Sequence, residues 1–170
     1  QLEGYFPPET WGHIEDMLGA NLPELAQMDR LRLAVHYTCP SLALARATQV
    51  AGGTAYVYRF DRIREGFDAI GAYHGAELPY VFDTHDPWMP TNAVDRQLTD
   101  ALVDYWVAFL TSGSPNKSQS GDSEITGATW PVWTHQQQAV VIADEVSTQT
   151  HPDAALCEFL NATQVAGARH

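Results

Sequence analysis

Gly71-Ala72-Tyr73-His74-Gly75-Ala76-Glu77-Leu78-Pro79-Tyr80-Val81-Phe82 sets one histidine between two glycines and follows it with an apolar run. Glycine takes up left-handed backbone conformations at no steric cost, so Gly71 and Gly75 leave the chain free to present the imidazole at a loop tip. The Leu78 to Phe82 run is expected to anchor the far side of that loop. Upstream, Thr54-Ala55-Tyr56-Val57-Tyr58-Arg59-Phe60 is dense in β-branched and aromatic residues and is bounded by Gly52-Gly53 and Asp61, which is a strand pattern. The polar stretch between them, with Gly66, Gly71 and Gly75, reads as loop. Loops that follow strands carry a disproportionate share of functional groups. On spacing alone, His74 reads as a surface histidine rather than a functional one.

Outward from this segment the chain is rich in helix. Val94, Leu98, Ala101, Leu102, Tyr105, Trp106, Phe109 and Leu110 recur at three- and four-residue steps, with Asp95, Arg96, Asp100 and Asp104 on the other side and Gly113 as the cap. Residues 112–127 read as an exposed polar loop. Trp130-Pro131-Val132-Trp133, a short strand over 139–143 and a helix opened by Pro152, with Ala155, Leu156, Phe159 and Leu160 inward, complete that side. Before the strand, a helix starts at Pro7-Pro8 and stops at Gly19, a second covers Leu22 to Tyr37, and a third is opened by Pro40 and stopped by Gly52-Gly53. Two short strands from distant parts of one chain do not close a sheet, so the chain is expected to complete the sheet of another polypeptide.

Composition narrows the function classes. Nine Lys and Arg against twenty-one Asp and Glu give a net charge of −12, with Lys117 the sole lysine. Binding nucleic acid requires neutralising phosphates with basic side chains, so that partner is excluded. No apolar run approaches the roughly 18 residues of a membrane span. The opening at Gln1, without an initiator Met or a basic stretch leading into an apolar one, reads as a processed or truncated product. Seven histidines and two cysteines show no zinc-ligand spacing, and neither G-x-G-x-x-G nor a P-loop occurs, so no cofactor is expected. Asn116-Lys117-Ser118 and Asn161-Ala162-Thr163 fit the glycosylation acceptor pattern and point, with the acidic balance, to a secretory route. Cys39 and Cys157 are equally compatible with two buried thiols and with one disulfide.

The segment from Tyr73 to Phe82 resembles the catalytic-histidine segment of the type-B carboxylesterase and cholinesterase family. The resemblance continues in register through Cys39-Pro40, Ala55 to Asp61, Asp104-Tyr105-Trp106-Val107-Ala108-Phe109, Gly113-Ser114-Pro115-Asn116 and Trp130-Pro131, and covers residues 20–160. It implies an α/β fold in which residues 1–170 are the C-terminal part of one α/β-hydrolase domain: helices plus the last strands of a central mixed sheet, completed by another polypeptide. That family's triad runs Ser, acid, His along the chain. His74 matches the histidine. The nucleophile elbow G-x-S-x-G and a Gly-rich oxyanion segment do not occur in the 170 residues, so serine, acid and oxyanion donors are expected on a separate N-terminal chain. The resemblance further implies a small-molecule ester substrate, a Cys39–Cys157 disulfide and secretion; Glu77 reads either as polar support or as an ordinary loop carboxylate, and Tyr73 and Phe82 either as pocket positions or, in preference, as core packing. Asp83 departs from it, standing after Phe82 where the family usually has glycine. The rival reading is a non-catalytic cholinesterase-like adhesion or binding protein.

Overall fold

The computed structural model of the chain describes residues 8–19, 21–117 and 127–167. Gln1, residues 118–126 of the polar loop and Ser118 of the first glycosylation pattern lie outside them. Two compact units are present, one of residues 1–55 with 152–170 and one of residues 56–151.

The first unit is helical. Helix α1 (Pro8–Leu18) buries Ile14 and Leu18 completely and ends at Gly19, whose φ of 101° is left-handed. The Gln27 amide fixes the following turn by donating to the carbonyls of Gly19 (3.0 Å) and Leu22 (3.2 Å). Instead of two helices separated before Pro40, α2 (Glu24–Leu33) runs through a π-helical turn (Ala34–Thr38) directly into α3 (Cys39–Val50). The reason lies in proline's chemistry: inside a regular α-helix it lacks the donor for residue i−4 and its ring presses on that carbonyl. The widened turn just ahead of Pro40, in which the Cys39 N–H reaches back five residues to the Ala34 carbonyl, absorbs the defect without breaking the helix. Helix α6 (Ala154–Gly167) turns Ala154, Leu156, Cys157 and Leu160 inward, whereas Ala155, expected inside, is exposed. A disulfide joins Cys39 to Cys157, both buried, so α3 and α6 are covalently tied. Asp153, 2% exposed, accepts from Nη2 (2.8 Å) and Nε (3.2 Å) of Arg30, whose Nη1 donates to the Leu18 carbonyl.

The second unit holds a three-stranded mixed sheet in the order β1 (Tyr58–Phe60), β2 (Gln138–Ile142), β3 (Val146–Thr150). Strands β1 and β2 are parallel, with Tyr58 opposite Val140 and Phe60 opposite Ile142, and β2 and β3 form an antiparallel hairpin pairing Gln138 with Thr150. β1 is shorter than the sequence pattern suggests, because Tyr56 pairs away from the ladder, in an isolated bridge to Val132. β3 is an additional strand. Val146-Ser147-Thr148-Gln149-Thr150 carries one apolar side chain and lies at the sheet edge, half-buried to exposed, so it offers no apolar alternation to read.

Between the parallel strands the chain passes through α4 (Leu78–Val81) and α5 (Ala93–Ser112). Helix α5 begins with a reciprocal capping box, Asn92 accepting from the Asp95 N–H and the Asp95 carboxylate from the Asn92 N–H, and ends at Gly113 with φ 75°. Its inner face packs Leu98, Leu102 and Tyr105 against Tyr80, Trp130, Val140 and Ile142. Three positions depart from the helical pattern: Phe109 and Leu110 are exposed, and Asp95, on the face that spacing makes polar, is only 1% exposed. The Asn116 amide locks the chain after α5 to the sheet side by donating to the Trp130 carbonyl and accepting from the Trp130 N–H, each at 2.7 Å.

Candidate active site

Beyond Phe60 the chain leaves β1, and the Asp61 N–H extends the ladder by donating to the Ile142 carbonyl at 2.7 Å. Arg62 and Arg64 then turn inward, each 7% exposed. Residues 64–77 wind through successive tight turns, with Phe67, Ile70, Gly71, Tyr73 and Ala76 N–H groups donating to carbonyls two to four residues back. Gly71 (φ 68°) and Gly75 (φ 88°) both sit in the left-handed region, so the two glycines make the turn that carries His74. His74 is exposed at its tip. The turn passes straight into α4, the Leu78 N–H donating to the Gly75 carbonyl at 3.1 Å.

The anchor of this loop differs from the one the apolar run suggests. Leu78 and Phe82 are 50% and 67% exposed, and Tyr80, fully buried, is the residue that goes inward. A four-residue helix cannot bury every side of itself, and beside Tyr80 only Val81 adds a partly buried contact with the core. Tyr73 lines a shallow recess with Arg64, Phe67, Gly71 and Tyr80, whereas Phe82 is not among the lining residues. Glu77 is half-buried. Burial pushes the Tyr58 phenol up, and the charge of Glu77 adds to that shift.

Beneath the loop lies a polar network that sequence reasoning missed. The Asp95 carboxylate accepts from Arg62 Nε (2.8 Å), the Tyr80 hydroxyl (2.7 Å) and the Asn92 N–H (2.8 Å). Arg62 Nη1 also donates to Asp144 at 2.6 Å. Burial pushes the Asp95 carboxyl up, but the hydrogen bonds from Arg62, Asn92 and Tyr80 outweigh it and hold the group below its ordinary value. The same ties raise Arg62, chiefly through Asp95, and burial followed by the bond to Asp95 raises the Tyr80 phenol. Arg64 lies 4.6 Å over the Tyr80 ring and donates to the Pro90 carbonyl and the Thr91 hydroxyl, each at 2.9 Å. Its Nη2 stands 2.7 Å from His85 Nδ1, and His85 Nε2 stands 2.7 Å from the Thr99 hydroxyl. The one available sequence signal was Asn92-x-x-Asp95 ahead of an apolar run, a capping-box spacing. Nothing in the sequence pairs Asp95 with Arg62, thirty-three residues away.

The remaining candidates lie elsewhere. Cys39 and Cys157 form the disulfide of the helical unit, and Asn161 is exposed on α6. Asn116 is half-buried, its side-chain nitrogen engaged with Trp130. Among the described residues, no group of three or more His, Cys, Asp or Glu side chains is arranged to hold a metal ion, and no helix is long and apolar enough to cross a membrane.

A family model described as the carboxylesterase family matches residues 21–160. The chain belongs to the carboxylesterase family. Among curated relatives, acetylcholinesterase 1 of Caenorhabditis elegans is 29% identical over 109 residues, covering 61% of this chain and 17% of that protein. Secreted lipase 5 of Gibberella zeae is 32% identical over 87 residues, covering 49% of this chain and 16% of its own length. The chain therefore spans less than a fifth of these relatives. Among solved structures, the Geobacillus stearothermophilus carboxylesterase EST55 matches with a TM-score of 0.70 at 21% identity, over 90% of this chain and 31% of that one. A PNB esterase matches with a TM-score of 0.64 at 21% identity, over 91% of this chain and 33% of that one. The three-stranded mixed sheet and its helices are part of a carboxylesterase α/β-hydrolase fold.

Proposed function

We propose that this carboxylesterase-family chain supplies the general-base and general-acid histidine, His74, of a secreted carboxylic-ester hydrolase. The nucleophilic serine, the acidic triad member and the oxyanion donors lie on a separate N-terminal polypeptide of the same hydrolase. The observation that carries this reading is the placement of His74: an exposed imidazole at a turn made by two left-handed glycines, inside the family-matched segment and held from below by a buried ion-paired network. Triad histidines need this combination of an accessible ring and a fixed backbone. G-x-S-x-G is absent from the sequence, so the attacking hydroxyl has to come from elsewhere.

In the assembled site His74 takes the serine proton as the oxygen attacks the ester carbonyl, and returns it to the departing alcohol. A water activated by the same ring then releases the acid. Glu77, half-buried behind the histidine, belongs to the polar support, and Tyr73 borders the recess on the substrate side. Small-molecule esters are the substrate class. The Cys39–Cys157 disulfide favours an oxidising compartment and supports secretion, as does the exposed Asn161 acceptor.

A fluorophosphonate probe tests the reading on the protein as purified. The expected result is a copurifying polypeptide whose serine is labelled, with labelling slowed in His74→Ala. Labelling at an undiminished rate in the variant overturns the histidine's role. A copurifying chain with no reactive serine favours the adhesion or binding reading.

A further inference from the structure

The contact between Arg64 and His85 has a direction that chemistry fixes. A guanidinium has donors only, so at 2.7 Å from Arg64 Nη2 the His85 Nδ1 must accept. The ring proton then sits on Nε2, which donates to the Thr99 hydroxyl, and that hydroxyl passes its own hydrogen to the Asp95 carbonyl at 2.8 Å. A neutral His85 satisfies every atom in this chain. A protonated one sets an N–H against an N–H and a second cation beside a guanidinium that is 7% exposed. The hydrogen-bond partners of Arg64 among the described residues are the Pro90 carbonyl, the Thr91 hydroxyl and this ring, so none of them supplies a compensating negative charge.

Both partners hold the piece of chain that carries His74. Arg64 lies over the Tyr80 ring and borders the recess beside Tyr73, and the His85 ring stands edge-on to Tyr80 at 5.1 Å. Tyr80 is the buried anchor of α4, which begins where the His74 turn ends. We propose that Arg64 and His85 are positioning residues for the His74 loop, forming a latch that is closed while His85 is neutral and opens when acid protonates it. The latch itself needs no catalysis; its bearing on ester hydrolysis rests on the role of His74 proposed above.

The groups facing His85 agree with this sense. Burial and Arg64 disfavour the cation, and Arg96 of α5 adds to them, while Asp83 on the same loop and Asp95 of α5 oppose; the balance lowers His85 from its ordinary 6.5. Because the folded value lies below the unfolded one, the latch contributes fully above about pH 6.5 and is lost as pH falls through the lower folded value.

Side-chain nitrogen NMR of the 15N-histidine-labelled protein as purified, with His85→Asn to assign the signal, reads the latch directly. Expected are the Nε2–H tautomer at pH 7.5, a midpoint below 6.5, and a rise of at least about half a pH unit, roughly threefold in proton affinity, in Arg64→Gln. An Nδ1–H tautomer, or a midpoint at or above 6.5, overturns the proposal. If Arg64→Gln folds and leaves the midpoint unmoved, that also overturns it; if it does not fold, tautomer and midpoint decide. Amide exchange over residues 75–80, corrected for intrinsic rates, tests the coupling to the loop. It is expected to accelerate several-fold from pH 7.5 to one unit below the His85 midpoint found by NMR in the wild type but not in His85→Asn, which keeps an acceptor and does not titrate. Equal acceleration in both refutes the coupling. Should these results hold in a protein without esterase activity, the latch stands and the role given to His74 fails.

Discussion

Replacing Asp95 by asparagine keeps the volume of the side chain and removes its charge, at a site where three donors converge. Asp95 is 1% exposed and accepts from Arg62, Tyr80 and the Asn92 N–H. The amide oxygen serves one or two of these donors, but the amide nitrogen cannot accept from the third. Arg62, itself 7% exposed, keeps the Asn92 side-chain oxygen and, as its one remaining carboxylate among the described residues, Asp144, whose side chain is 83% exposed and therefore screened by water. Breaking a buried ion pair by removing one partner costs about 3–5 kcal/mol. Loss of half the capping box costs about 1 kcal/mol, and since both effects share the carboxylate, about 4 kcal/mol is the combined expectation. With a urea slope of about 2 kcal/mol per molar, the unfolding midpoint followed by tryptophan fluorescence at pH 7 drops by roughly 2 M. The carboxyl is held below its ordinary value, so its contribution is complete above the unfolded carboxylate range and is lost as pH falls through the depressed folded value. The gap between wild type and variant narrows accordingly in acid. A midpoint shift below about 0.3 M at pH 7, or a gap that widens in acid, refutes this account of the network.

Three further outcomes follow from the fold. Gly75→Ala places a side chain at φ 88° and is expected to cost about 1–2 kcal/mol in thermal or urea unfolding, together with a lower kcat on p-nitrophenyl acetate; unchanged stability contradicts the left-handed turn. Asp83 holds a φ of 49°, so Asp83→Gly is expected to gain up to about 1 kcal/mol, and a lower melting temperature argues against that backbone. Cys39→Ser with Cys157→Ser opens a cross-link spanning 118 residues, which the chain-entropy model values at about 4–5 kcal/mol. A melting temperature equal to the wild type's means that the bond stabilises nothing.

How much of this was legible depended on whether a feature is local. Helix α5 announces itself through Leu98, Leu102 and Tyr105 at helical spacing and through Gly113 past its end, and both glycines beside His74 proved to be left-handed as a loop tip requires. The Asp83 departure also has a physical counterpart, since the aspartate occupies a backbone conformation that glycine adopts freely. Pro40 stands in the first turn of α3 as expected, but the π turn that joins α2 to α3 without a break has no signature in one dimension. Edge strand β3 was invisible for want of apolar alternation. The Arg62–Asp95–Tyr80 network and the Arg64–His85 contact were beyond reach, because the first joins the loop after β1 to the start of α5 across thirty-three residues and the second joins that loop to His85 across twenty-one, and periodicity marks Asp95 as a solvated helix position. What identifies such a residue is burial together with donors from other segments, and neither is a property of the neighbouring sequence.

Steady-state hydrolysis of p-nitrophenyl acetate by the purified protein, compared with the same preparation carrying His74→Ala, reads the proton-transfer role proposed for His74. A fall in kcat of roughly a thousandfold or more is expected, with folding preserved, because a triad without its base keeps only binding and oxyanion stabilisation. A preparation that hydrolyses the ester equally well with alanine at position 74 contradicts that role.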